Sequence, residues 1–200
     1  VNRLTFTHRA TLRWLAHATR DLAPGAALSV LDVAYGEGDL LRAIAVWAEK
    51  RGFVAQLSGV DLNPRSAIAA SAATPAGLNI DYRTGDVFDF SPDPLPDFIV
   101  TSQFTHHLKD PDVVRLLVWL EAHARRGWYI ADLHRHAFAY YGFPLLARLM
   151  GWHRIVRNDG AVSIARAFTR RDWEALLQRA GLHAQIAWHV AFRFSVSRLK

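Results

Sequence analysis

The stretch Leu28-Ser29-Val30-Leu31-Asp32-Val33-Ala34-Tyr35-Gly36-Glu37-Gly38-Asp39-Leu40-Leu41 decides the fold. A short, nearly uninterrupted apolar run of the kind buried on both faces of a parallel sheet ends in a carboxylate, passes through two glycines, and restarts as an amphipathic helix. Ligands of open α/β sheets bind outside the carboxyl ends of the strands, beside such a loop. Glycine lets the backbone take positive φ and approach a ligand closely.

Outward from this stretch the same alternation repeats. Strands are predicted at Ala27–Val33, Val54–Asp61, Leu78–Tyr82, Asp97–Ser102 and Trp128–Asp132, with helices over Asp39–Lys50, Ser66–Ala73 and Pro111–Ala124. Such alternation predicts a parallel sheet with helices on both faces. An amphipathic segment, Thr5–Leu22, precedes the first strand and ends at Pro24-Gly25. Beyond the fifth strand the rhythm changes. Ala137–Met150 is apolar nearly all round, Thr169–Ala180 reads as a helix with Thr169 as N-cap and Gly181 as stop, and His183–Leu199 alternates like two adjacent strands. The expected architecture is one Rossmann-like α/β domain over residues 1–200. It has a seven-stranded, mostly parallel sheet with an antiparallel terminal strand, a helical cap over 1–24, and an inserted substrate lid over 134–167.

Composition narrows the function. The 200 residues are 51% hydrophobic and contain no Cys, which excludes disulfides, thiolate metal sites and cysteine nucleophiles. No metal site is expected. No apolar run reaches the roughly 18 residues a membrane helix needs, so no span is expected. The absence of Cys and of a signal peptide fits a cytoplasmic protein, although the chain begins at Val and leaves an N-terminal targeting segment open. The net charge of +6 is uneven: residues 1–124 carry 11 basic and 14 acidic side chains, residues 125–200 carry 13 and 4. That leaves two readings for the C-terminal part, an anionic partner or an Arg-rich solvated surface.

The glycine loop separates two ligand classes. A dinucleotide site wants G-x-G-x-x-G, and here Gly36-x-Gly38 is followed by Leu41, so that fingerprint is broken. Asp32-Val-Ala34-Tyr35-Gly36-Glu-Gly38 instead resembles the first motif of class I S-adenosylmethionine (SAM)-dependent methyltransferases, with Ala34 in place of the first glycine and Tyr35 at a commonly small position, where it is expected to narrow the entrance to the methionine end. Asp61 lies 23 positions beyond Gly38, at the next strand end, and Asp86 lies 25 beyond that. At Asp61 a carboxylate accepts two ribose hydroxyls, and the resemblance implies that Asp86 faces the adenine amino group. The plainer roles are N-cap for Asp61 and turn residue for Asp86. The resemblance covers Ala27–Asp132. It implies that Asp32, Ala34, Tyr35, Gly36, Gly38, Asp61, Leu62, Asp86, Val87, Ser102 and Gln103 hold SAM, with S-adenosylhomocysteine (SAH) as product. Arg3, His8 and Arg9 are candidates to close over the cofactor carboxylate.

The fourth strand ends Thr101-Ser102-Gln103-Phe-Thr-His106-His107, without the Asn/Asp-Pro-Pro-aromatic run of many amino-group methyltransferases. The His pair resembles small-molecule methyltransferases of the quinone and polyketide-tailoring type. A phenol or enol must lose a proton, and a neutral His suits that. His106, His107 and His134 are the candidate bases, though each has a packing role open to it. Arg135, Tyr140 and Tyr141 are candidate substrate contacts, and Phe138, Phe143 and Trp152 extend the apolar lid. Arg154, Arg157 and Arg166 surround an Asp159-Gly160 turn. The expected reaction is methylation, O- ahead of C-, of a hydroxylated aromatic, quinol or polyketide-like substrate. The rivals are an RNA methyltransferase and a degenerate SAM-binding partner subunit. A nucleic-acid partner is not expected, and self-association is left open.

Overall fold

A computed structural model describes residues 7–149, 160, 162–190 and 192–200. In chain order the elements are α1 (Thr7–Ala18), β1 (Ala27–Val33), α2 (Asp39–Lys50), β2 (Val54–Asp61), α3 (Pro64–Ala73), β3 (Ile80–Thr84), β4 (Phe98–Ser102), a 3-10 turn (Thr105–His107), α4 (Asp110–His123), β5 (Gly127–Leu133), α5 (Ala137–Leu149), α6 (Arg170–Ala180), β6 (Gln185–His189) and β7 (Arg193–Leu199). The seven strands form one sheet in the order β3-β2-β1-β4-β5-β7-β6. β1 to β5 run parallel, and β7 pairs antiparallel with both β5 and β6.

Period-two alternation along β1 divides the core. Leu28 and Val30 join Leu41, Ile44, Phe98 and Tyr129 beneath α1 and α2. Leu31 and Val33 join Ile99, Leu116, Trp128 and Trp173 beneath α4 and α6. β4 and β5 are buried on both faces along nearly their whole length, which is why they read as unbroken apolar runs. α6 starts at a reciprocal cap: the Thr169 side chain accepts from the Asp172 N–H while the Asp172 carboxylate accepts from the Thr169 N–H, and Gly181 at φ 68° ends the helix.

β3 lies two residues later than Leu78–Tyr82. Leu78 N–H donates to Pro75 in a turn, and pairing with β2 carries the strand on to Thr84, opposite Asp61. No helix covers residues 85–97 between β3 and β4. Met150, Trp152, Arg154, Arg157 and Asp159 of the predicted lid region lie outside the described residues, as do Arg3 and Thr5. Among the described residues no helix is long and apolar enough to cross a membrane.

Candidate active site

The sheet order reverses between β1 and β4, and at that switch point the two strand ends part to form a crevice. A cleft of about 280 Å³ opens there, lined by His8, Asp32, Ala34, Tyr35, Gly36, Glu37, Asp39, Leu40, Ser102 and Gln103. The loops that follow β1 and β4 both bend sharply at it. Ala34, Gly36 and Gly38 take φ of 59°, 56° and 72°, and Gln103 takes 55°. Two non-glycine residues in the left-handed region on one cleft mark it as a place where backbone strain is tolerated.

The two glycines serve different ends. A Cβ on Gly36 would meet nothing within 4 Å, so this glycine leaves the loop open toward a ligand. A Cβ on Gly38 would fall 2.5 Å from the Tyr82 hydroxyl, so this one is needed for packing. Ala34, at the position of the missing first glycine, keeps the turn at a cost of about 1–2 kcal/mol for a left-handed alanine. The Ala34→Gly variant removes that cost and gives back about 0.4–1 kcal/mol through the freer unfolded chain. We expect a net gain of about 0.5–1 kcal/mol in a denaturant titration.

Asp32 is 2% exposed at the floor of the cleft, and its Oδ1 has no hydrogen-bond partner. Burial, then the nearby Asp39 and Asp61 carboxylates, hold its pKa well above the usual range. Asp61 stands at the end of β2. Its Oδ2 accepts from Gly36 N–H and its Oδ1 from Asn63 N–H, both at 2.9 Å, so it ties the glycine loop to the second strand. Asn63, not Asp61, caps α3, through Arg65 N–H. Leu62, beside Asp61, is 72% exposed. Asp86 is exposed and accepts from Phe88 N–H at 2.9 Å in a local turn, while Val87 is buried among the side chains under α4. Asp61, Leu62 and Asp86 thus lie along the rim of the β2 and β3 ends, outside the walled cleft. His8 does line it, 3.3 Å from Asp39.

Tyr35 differs from expectation. Its ring is 4% exposed, lies on Gly59 and packs against Tyr82 at 5.0 Å. Gly59 leaves room for the ring under the loop, so the ring does not narrow the cleft mouth.

A second polar group sits at the ends of β4 and β5. Asp132, 1% exposed, accepts from four donors: the Thr105 hydroxyl, His106 N–H at 2.9 Å, Leu133 N–H at 2.7 Å and the His106 ring at Nδ1, 2.7 Å away. His106 is itself 5% exposed. His107 is exposed and lies over the His106 ring at 4.2 Å. Partial burial and then His106 lower its pKa. His134, two residues beyond Asp132 on β5, is likewise lowered, by burial and then by His136. Its Nδ1 is buried without a hydrogen-bond partner, and its ring meets Phe194 at 4.5 Å. Arg135 pairs with Asp172 at 2.8 Å and so tethers the β5 end to the cap of α6. Tyr140 and Tyr141 are 41% and 75% exposed and do not line the cleft. The sequence places Asp132 in a polar cluster at the end of the fifth strand, and its pairing with His106 is what sequence reasoning missed. Among the described residues no cluster of side chains suits a metal ion.

A parallel sheet in this order with an antiparallel β7, and a cleft between a glycine loop and the β4 end, define a Rossmann-like methyltransferase. The chain belongs to the methyltransferase domain family, whose model matches residues 6–185. In fold it is similar to the plantazolicin methyltransferase BpumL, solved with SAH, at 15% identity and TM-score 0.73 over 100% of this chain and 86% of that one. It is also similar to magnesium protoporphyrin IX methyltransferase from Synechocystis PCC 6803, solved with SAH, at 16% identity and TM-score 0.65 over 98% and 83%. A SAM-dependent methyltransferase from Aquifex aeolicus aligns at 16% identity and TM-score 0.64 over 95% and 97%. No curated protein sequence matches the chain.

Proposed function

We propose that this protein is a SAM-dependent methyltransferase that methylates a hydroxyl oxygen on an aromatic, quinol or polyketide-like small molecule. The observation that carries this reading is the buried, hydrogen-bonded His106–Asp132 pair, on the short turn that follows the cleft residues Ser102 and Gln103.

The cleft fits the cofactor. The unpartnered Asp32 carboxylate is an acceptor for the amino group of its methionine part, and that cation offsets the cost of ionising a buried acid. Gly36 leaves space for the chain of the ligand, Asp61 has lone pairs left for two ribose hydroxyls, and exposed Leu62 offers an apolar face to the adenine. His8 stands where it can meet the carboxylate end. When bound, SAM supplies a methyl group on a sulfonium.

The protein has then to place an oxygen in line and relieve it of its proton. Asp132 accepts the Nδ1–H of His106, which fixes the tautomer with its lone pair on Nε2, the form of imidazole that takes a proton. Three further donors hold the Asp132 carboxylate in position, so the ring has a defined orientation. His107 and His134, with pKa values below the ordinary 6.5, are neutral near pH 7 and add no positive charge against a phenol losing its proton.

Incubation with methyl-labelled SAM and a panel of phenols, quinols and enolised polyketides tests the reading. A labelled methyl ether is expected. A new carbon–methyl bond moves the acceptor atom to carbon. SAH binding without transfer to any acceptor favours the partner-subunit reading. Transfer to RNA that weakens steeply with salt favours the nucleic-acid reading.

A further inference from the structure

All four exposed aromatic side chains among the described residues, Phe138, Tyr140, Tyr141 and Trp188, fall in the C-terminal third of the chain. Phe138 and Tyr141 stand about one turn apart on α5, 78% and 75% exposed, while Trp188 and Val190 stand at the β6–β7 turn, 51% and 82% exposed. A run of rings joins the two groups: Phe138 stacks on His136 at 5.7 Å, His136 on Phe192 at 5.0 Å, and Phe192 meets Trp188 edge-on at 6.5 Å. The patch is therefore continuous, and an exposed apolar patch of this kind is a contact surface. Basic side chains adjoin it: Arg135 precedes His136, Arg170 donates to the Ile186 carbonyl two residues before Trp188, and Arg171 is exposed beside Arg170, while Asp172 and Glu174 pair with Arg135 and Arg170.

We propose that this patch seats the protein reversibly on an anionic lipid surface. Aromatic side chains with an apolar body and polar neighbours settle at the headgroup level, and each basic residue near an anionic leaflet adds to the attraction. A second copy is a poorer occupant. A twofold interface sets the patch against itself and brings the two basic surrounds together. The run of rings starts from His134, one residue past the end of β5 and two past Asp132, so along the chain the patch begins next to the His106–Asp132 pair. An apolar acceptor dissolved in the bilayer then has a short way to travel, a consequence that rests on the proposed methyl transfer; the docking itself does not.

The test is co-sedimentation of the full chain with vesicles of phosphatidylcholine alone and of phosphatidylcholine mixed with phosphatidylglycerol. Binding to the mixed vesicles that weakens as salt is raised is expected. The double variant Phe138→Ser, Trp188→Ser should lose that binding by about tenfold or more, since each ring carries on the order of 1.5–3 kcal/mol when fully buried. Its melting temperature should fall by no more than a few degrees, because Phe138 is mostly exposed and Trp188 is half exposed. Arg171→Gln should weaken binding to the mixed vesicles and leave the melting curve alone. Failure to bind either vesicle, equal binding to both, or full binding by the double variant overturns the proposal. So does a wild-type dimer in lipid-free buffer that the double variant dissolves. SAH binding by the double variant should match wild type, so loss of docking is distinguishable from failure of the cofactor site.

Discussion

His106→Gln should lower kcat by about 10²–10⁴, the usual worth of a positioned general base, with the affinity for SAH unchanged. Asp132→Asn should fall in the same range by a different route. An amide in that place keeps an oxygen for two of the four donors and turns an NH2 toward the other two, and it no longer favours the His106 tautomer that carries its proton on Nδ1. The two substitutions act on one unit, so the double variant should be little worse than the worse single one. The measurement is kcat and KM for both substrates, across pH, for the three variants. Two results contradict the assignment: His106→Gln with wild-type kcat, which means the acceptor reacts without a base, or additive losses in the double variant, which mean the two residues act separately.

Asp32→Asn should part stability from binding. The carboxyl of Asp32 has its folded pKa raised, first by burial and then by Asp39 and Asp61. Its contribution to stability is therefore fully present below the unfolded carboxyl value, and is lost as pH rises through the higher folded one. At neutral pH the ligand-free protein carries that cost, and the neutral amide removes it. Each kcal/mol recovered raises Tm by about 2–4 °C for a chain of this size. The same substitution takes away a charged acceptor worth about 1.5–3 kcal/mol to a bound ammonium group, which is roughly 10- to 150-fold in affinity for SAH. Thermal melting with and without SAH reads both effects. A variant that melts lower without ligand, or that binds SAH as tightly as wild type, removes Asp32 from the site. The buried acid is thus a destabilising element that a cationic ligand converts into a stabilising one.

The β1–loop–α2 unit was legible because each of its parts has a local cause. β1 is buried along most of its length, Gly36 and Gly38 sit where φ is positive, and α2 begins at the acidic Asp39. The strand pair at the end of the chain was legible from alternation alone. The His106–Asp132 pair was not, because its members lie 26 positions apart on separate elements and meet only once β4 and β5 are aligned. Tyr35 was misread because its place depends on Gly59 in the neighbouring strand, which nothing near Tyr35 announces. The direction of α5 was also out of reach. Its sequence is apolar nearly all round, so no stripe told which side faces inward, and Phe138 and Tyr141 turn to water.

The most direct test is calorimetric titration of SAH into wild type and into Asp61→Ala. The carboxylate of Asp61 holds the glycine loop at Gly36 and, in the proposed binding mode, accepts from the ribose hydroxyls. Binding to wild type, with an affinity loss of about tenfold or more in the variant and an unchanged fold by circular dichroism, is the predicted result. No heat of binding to wild type would mean that the cleft between β1 and β4 does not hold this cofactor, and equal binding by the variant would mean that SAH is held somewhere else.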